Sequence, residues 1–277
     1  MALTKVLIVV KTYPTLSEKY DELVCTAGFL ENGSWIRIYP IPFRKLGKDS
    51  QYKKWQWITI DIVKNNNDFR SESYRPTDID KEIFTHNIVN TKKNWASRKP
   101  FVYNEVYTNL DKLINDSKKP PYKSLAVLKP TKILNFVYEE IEREWDQKKI
   151  NTIYSNQCQI DLFEQDKKVS LNIVKKLPYK FSYIFTTEDG KERKMMIEDW
   201  ELGMLYWNCL KRTQGDEKAA CELVRQKYYE EMVTGKDFHF FVGTTKSHHL
   251  KSKNPYIIIG TFWPKYEIKQ PTLFDMI

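Results

Sequence analysis

Thr4 to Val10 is a continuous run of β-branched and apolar residues, Thr-Lys-Val-Leu-Ile-Val-Val. Such a run at a chain start predicts a buried β-strand, and a buried strand needs further strands to pair with it in a sheet. Lys11 ends the run, and Pro14 prevents its extension. The apolar stretch is too short for a secretory leader or a membrane span. The expectation is a cytoplasmic protein with no membrane partner.

More strand signals come after it. Leu23 to Ala27 resumes the β pattern, and Asn32-Gly33 is a hairpin turn signal. Ser34 to Tyr39 alternates in part, placing Trp35, Arg37 and Tyr39 on one face and Ile36 and Ile38 on the other. Trp55 to Ile62 reads as a further strand, and Asn65 to Pro76 as a polar loop. Residues 1–90 are thus expected to form a small, mostly-β, barrel-like unit.

Residues 91–170 read as a mixed connecting region. A helix is expected over Asn104 to Ser117, then strands at Leu125–Leu128 and Ile133–Val137, then a helix from Glu139 to about Tyr154. Residues 171–268 read as ββααββ. Phe181 to Phe185 and Lys191 to Ile197 flank the turn Asp189-Gly190, two helices come next, and Asp237–Gly243 and Tyr256–Gly260 close the unit. Residues 269–277 are expected to form an exposed tail. The fold class expected is α+β.

The chain has 277 residues and a net charge of +9, from 45 Lys+Arg against 36 Asp+Glu. A basic excess of this size favours polyanionic partners through counterion release. The four cysteines, Cys25, Cys158, Cys209 and Cys221, include no Cys-x-x-Cys pair, so a zinc knuckle or redox motif is not expected. Gly-rich phosphate loops, dinucleotide fingerprints and nucleophile elbows do not occur, which disfavours a nucleotide-driven motor or an α/β-hydrolase.

Basic and aromatic residues concentrate in the β unit: Arg37, Tyr39, Arg44, Lys53, Lys54, Trp55, Arg70 and Arg75. Cations hold phosphates and exposed rings stack on splayed bases, so these are candidate nucleic-acid contacts. Trp55 reads equally as core of a small barrel. The loop after Gly243 adds Lys246, His248 and His249 as candidate phosphate contacts. The histidines lack the spacing of a metal site.

Asp199 and Glu201 form a candidate catalytic pair where a strand meets a helix, and carboxylates there could hold Mg²⁺ for phosphodiester cleavage. No other cofactor is expected. The same residues fit an N-cap followed by a first-turn acid.

Two five-residue stretches share the pattern Gln-x-x-Leu-Phe: Gln159-Ile-Asp-Leu162-Phe163 and Gln270-Pro-Thr-Leu273-Phe274. The pattern resembles the peptide by which bacterial replication and repair proteins dock on the DNA sliding clamp. In such peptides the Gln bonds at the pocket rim and the Leu-Phe pair fills an apolar hole. The wording Lys11-Thr-Tyr-Pro, Cys25-Thr-Ala-Gly28 and Arg37-Ile-Tyr-Pro-Ile-Pro-Phe-Arg44 resembles an uncharacterised family of prokaryotic proteins associated with mobile elements and antiviral defence. That resemblance implies no particular activity. In size and strand content the first unit is also similar to PUA-like nucleic-acid readers.

The expectation is a DNA-binding accessory protein recruited to the sliding clamp. One alternative is a nuclease or base-excising enzyme of a defence system. Another is a clamp-binding adaptor or inhibitor without DNA contact.

Overall fold

The computed structural model describes residues 2–17, 21–153 and 173–267. The initial run is strand β1 (Ala2–Lys11), which pairs antiparallel on one edge with β3 (Asp21–Phe29) and on the other with β5 (Gln56–Lys64). Strands β4 (Trp35–Ile41) and β6 (Ser73–Pro76) complete the ring β1-β3-β4-β6-β5, a closed five-stranded barrel. The β4–β6 pair is parallel and the other pairs are antiparallel. Short strands β2 (Thr15–Ser17) and β7 (Phe84–Ile88) attach to β3 and β5.

The unbroken apolar character of β1 follows from burial on both faces. Val6 and Ile8 point into the barrel with Ile36, Ile38, Ile58 and Ile60. Leu7, Val9 and Val10 point outward into a second core with Phe29, Phe241 and Ile259. Closure at the β1–β3 pair requires Gly28, because a Cβ there would lie 2.0 Å from the Leu7 carbonyl oxygen.

The rest of the chain builds two further sheets. Strands β8 (Val106–Tyr107), β9 (Leu125–Leu128), β13 (His239–Thr244) and β14 (Tyr256–Phe262) form a sheet of order β14-β13-β9-β8. Strands β10 (Lys132–Glu140), β11 (Tyr179–Thr186) and β12 (Glu192–Met196) form an antiparallel sheet. Residues 106–140, read from sequence as connecting region, therefore supply strands to both sheets. The expected ββααββ order is present, but β11–β12 and β13–β14 belong to different sheets.

The four-stranded sheet is apolar on both faces. Leu125, Val127, Phe241 and Ile259 meet the barrel wall. Ala126, Leu128, Phe240 and Val242 meet the other core, formed with α2 (Trp200–Arg212), α3 (Glu217–Arg225) and the three-stranded sheet. Helix α1 (Leu110–Ser117) places Leu110 and Leu113 in that core. No helix among the described residues is long and apolar enough to cross a membrane.

Helix α2 is pinned to the barrel at its N-terminus. Asp199 is the N-cap: its carboxylate accepts from the Glu201 N–H at 2.8 Å. Both carboxylate oxygens also accept from Lys54 Nζ at 2.7 Å. The two side chains are 2% and 9% exposed, so this is a buried ion pair. One turn on, Gly203 lies against the Tyr13 ring, and Tyr13 Oη accepts from Trp207 Nε1 at 2.8 Å. Removing one partner of a buried pair strands the other charge and costs about 3–5 kcal/mol. Asp199→Ala is therefore expected to destabilise the fold by that amount, measured by urea unfolding. Glu201→Gln, at an exposed group, should change stability by less than about 1 kcal/mol. Equal effects of the two substitutions would refute the pinning role.

Candidate nucleic-acid interface

A cleft of about 590 Å³ opens where the barrel meets the four-stranded sheet. Cys25, Arg37 and Tyr39 reach it from β3 and β4, Phe69 and Arg70 from the loop after β5, Glu198 from the start of α2, and Lys246 and Lys251 from the loop after β13. Ile257 and Ile259 of β14 supply apolar wall.

Arg37 lies in this wall and is 5% exposed. Its place on β4 is fixed by Ile36 and Ile38, which alternate into the barrel core. Nη1 donates to Cys25 Sγ at 3.2 Å, and Nη2 to the Ser124 carbonyl and hydroxyl at 3.3 and 3.2 Å. Nε has no hydrogen-bond partner among the described residues. Among the described residues, no carboxylate forms an ion pair with Arg37. The nearest acid in its network is Glu72, one bond further on, which accepts from the Ser124 N–H and hydroxyl. A buried guanidinium with five donors and no counter-charge is a site short of an anion or of acceptor atoms.

Arg70 is buried in a different state. Nε and Nη2 grip Asp68 at 2.8 and 2.5 Å, and Nη1 donates to the Thr244 carbonyl at 2.7 Å. Burial alone would push the Asp68 carboxyl up, but hydrogen bonds from Arg70 and Ser73 hold it well below the usual carboxylate range. Arg70 is a strut between barrel and sheet.

His249 is a second strut. It is fully buried, and Nε2 donates to the Ser117 carbonyl at 2.7 Å. Burial lowers its pKa, and Nδ1 is hydrogen-bonded with Thr244 Oγ1 at 2.6 Å. The ring stands edge-on to Phe69 at 5.1 Å.

The rim is open. Lys246 and Lys251 are exposed, and Lys246 Nζ bonds the Asn67 carbonyl. Tyr39 and Phe69 are 39% and 42% exposed, leaving ring area open to solvent. Glu198 is half-buried, and desolvation pushes its carboxyl up.

The cleft thus gathers Arg37, Tyr39, Arg70 and Lys246 from the residues expected to contact nucleic acid. Lys53 and Lys54 line another cavity with Glu201. Trp55 is 6% exposed and packs on Phe241 and Phe262, and His249 is closed to solvent. Both are core side chains in place of the expected contact surface: Trp55 packs on Phe241 and Phe262 of distant strands, and His249 on Phe69 and Tyr122 of two loops. Arg75 and His248 are exposed and Arg44 is half-buried, and none of them lines the cleft. The Asp199 carboxylate is engaged by Lys54 and the Glu201 N–H. Among the described residues no cluster of three His, Cys, Asp or Glu side chains is arranged to hold a metal.

Cys25, Phe69 and Ser124 are cleft or Arg37-contact residues that sequence reasoning missed. An arginine alternating with two core isoleucines was the one legible signal. Gln159, Leu162, Phe163, Gln270, Leu273 and Phe274 lie outside the described residues.

No curated protein matches the chain. Residues 2–104, which contain the barrel, match a domain of unknown function, DUF8758. Residues 106–277, well over half of the chain, match a second such domain, and the protein accordingly belongs to the family of the domain of unknown function DUF8757.

Proposed function

We propose that the protein is a nucleic-acid-binding module whose cleft holds an unstacked nucleotide of a single strand. The observation that carries this reading is Arg37, a buried guanidinium on the cleft wall with, among the described residues, no carboxylate partner and an unpaired Nε. A phosphate or a base edge supplies the acceptors that the fold leaves out. Lys246 and Lys251 attract the backbone, and Tyr39 and Phe69 offer rings for stacking. In the same proposal the two Gln-x-x-Leu-Phe stretches carry the module to the sliding clamp. A micromolar peptide contact of roughly 8 kcal/mol suffices for recruitment, and two copies raise occupancy through effective concentration.

The two buried arginines separate a binding role from a structural one. Arg37→Met removes a charge that no protein carboxylate neutralises, so stability should hold or rise. Affinity for a single-stranded oligonucleotide should meanwhile fall about tenfold or more, the worth of a charged hydrogen bond. Arg70→Met strands Asp68 and should destabilise the fold by about 3–5 kcal/mol. Fluorescence anisotropy over a salt series and thermal melts read both effects. Unchanged oligonucleotide affinity in Arg37→Met, or no retention of nucleic acid at low salt, would falsify the cleft assignment.

Clamp recruitment has its own measurement. Binding to a purified bacterial sliding clamp should disappear when Leu162, Phe163, Leu273 and Phe274 are all replaced by Ala. Full affinity in that variant rejects the recruitment proposal and leaves the cleft reading intact.

A further inference from the structure

A second cavity, of about 550 Å³, lies beside the first turn of α2. Its wall includes Lys11, Lys53, Lys54, Trp200, Glu201 and Asn208. Three amines against one carboxylate make this wall cationic.

Lys11 is unusual among these groups. It is the last residue of β1 and is 6% exposed. Its Nζ donates to the Tyr52 carbonyl at 3.1 Å. It lies 4.2 Å from the centroid of the Phe43 ring, 5.3 Å from that of Trp200 and 5.8 Å from that of Tyr52. Among the described residues no carboxylate bonds it directly. Asp199 and Glu201 are spent on Lys54, at 2.7 and 3.3 Å. A lysine enclosed by rings, beside a second ammonium whose counter-ions are already shared, has the setting that makes an amine nucleophilic.

We propose that Lys11 is a site of imine formation with an aldehyde that carries an anionic phosphate group. The neutral amine attacks the carbonyl carbon, and the carbonyl oxygen takes up a proton to give the carbinolamine. Loss of the hydroxyl as water, with the nitrogen proton released, leaves the C=N bond. Amine plus aldehyde thus give imine plus one water, with no oxidant or reductant. Glu201 is the carboxylate on the wall that can relay the proton, and Lys53 is an exposed cation for the phosphate.

The electrostatics agree with the geometry. Burial is the main influence and lowers the Lys11 pKa to about 8; Lys54 adds to the fall, while Glu201 and Asp199 oppose it. The ring faces favour the charged amine, but they do not replace the water lost on burial. Near pH 7.5 an amine with pKa about 8 has roughly two hundred times the neutral fraction of an ordinary lysine.

Phosphate-bearing aldehydes occur as free small molecules and as the ring-opened sugar of an abasic nucleotide. The test therefore has two arms on the full chain. In one, limiting pyridoxal 5′-phosphate is added with cyanoborohydride across pH 6.5–9.5, and labelled peptides are quantified by mass spectrometry. In the other, an oligonucleotide with one abasic site is trapped in the same way. In the first arm Lys11 should label at least about tenfold faster than exposed Lys53, with a rate midpoint near pH 8, following their neutral fractions. Unphosphorylated pyridoxal should label Lys11 more slowly. Lys11→Arg should lose the fast label while keeping its circular dichroism spectrum. Faster labelling of Lys11 than of Lys53 in the first arm, or a Lys11 adduct in the second, supports the site, and the arm that gives it names the source. The proposal is overturned if Lys11 in the wild type labels no faster than Lys53 in the first arm and forms no adduct in the second. A midpoint near pH 10 overturns it as well. Because these readings use the wild type, they stand even if the variant fails to fold.

Discussion

The outward face of β1 sets the architecture. Val6 and Ile8 fill the barrel while Leu7, Val9 and Val10 press on Phe241 and Ile259, so the barrel wall is itself a layer of the second core. A barrel strand with one solvated face would leave the four-stranded sheet half uncovered. Because both faces of that sheet are apolar, the barrel must lie on one and the helices on the other. This stacking brings Arg37 of β4 beside the end of β13. Gly243 has no side chain at the junction: a Cβ there would meet Ile259 at 2.7 Å and approach Arg37 Nη2 at 3.6 Å.

Polar groups caught at such a seam must be paired or held for a ligand. Arg70 and His249 take the first course. Arg70 bonds the Thr244 carbonyl and Asp68 of its own loop, and His249 bonds Thr244 Oγ1 and the Ser117 carbonyl, so each has partners of matched charge or polarity. Arg37 has no carboxylate partner among the described residues. Its neighbours are a thiol, a carbonyl and a hydroxyl, and the acid behind them, Glu72, is spent on Ser124. A fold selected for stability alone would place an apolar side chain there. The mismatch between this residue and its surroundings is the observation on which the proposed cleft assignment rests.

Elements governed by neighbouring residues were legible in the sequence. The run Thr4–Val10 is a buried strand, and Asn32-Gly33 and Asp189-Gly190 turn with glycine φ of 82° and 70°. Asp199 caps α2 as its side-chain chemistry predicts. Pairings that join distant parts of the chain were not legible. β9 lies beside β13 across more than a hundred residues, and no local pattern encodes that choice of partner. Trp55 was ambiguous for the same reason, since its burial depends on Phe241 and Phe262. Cationic residues could be nominated from composition. Whether a given cation is a strut, like Arg70, or short of a partner, like Arg37, depends on a carboxylate whose position only the fold supplies. Lys11 read merely as the end of an apolar run, because the rings around it come from positions 43, 52 and 200.

The two cavities share walls at two points in the chain. Lys11 lines one and Thr12 the other, as expected where a strand ends and successive side chains point to opposite sides. At the start of α2, Glu198 faces the cleft, Asp199 is buried on Lys54, and Glu201 faces the second cavity. The Lys54–Asp199 pair therefore stands between the two sites and fixes the backbone that carries a wall residue of each. A displacement of residues 198–201 that opened one wall would move the other, and the ion pair resists that displacement with the desolvation cost of separating two buried charges. The buried carboxylate that from sequence alone resembled a catalytic group thus acts as the fixed point from which both cationic cavities are built.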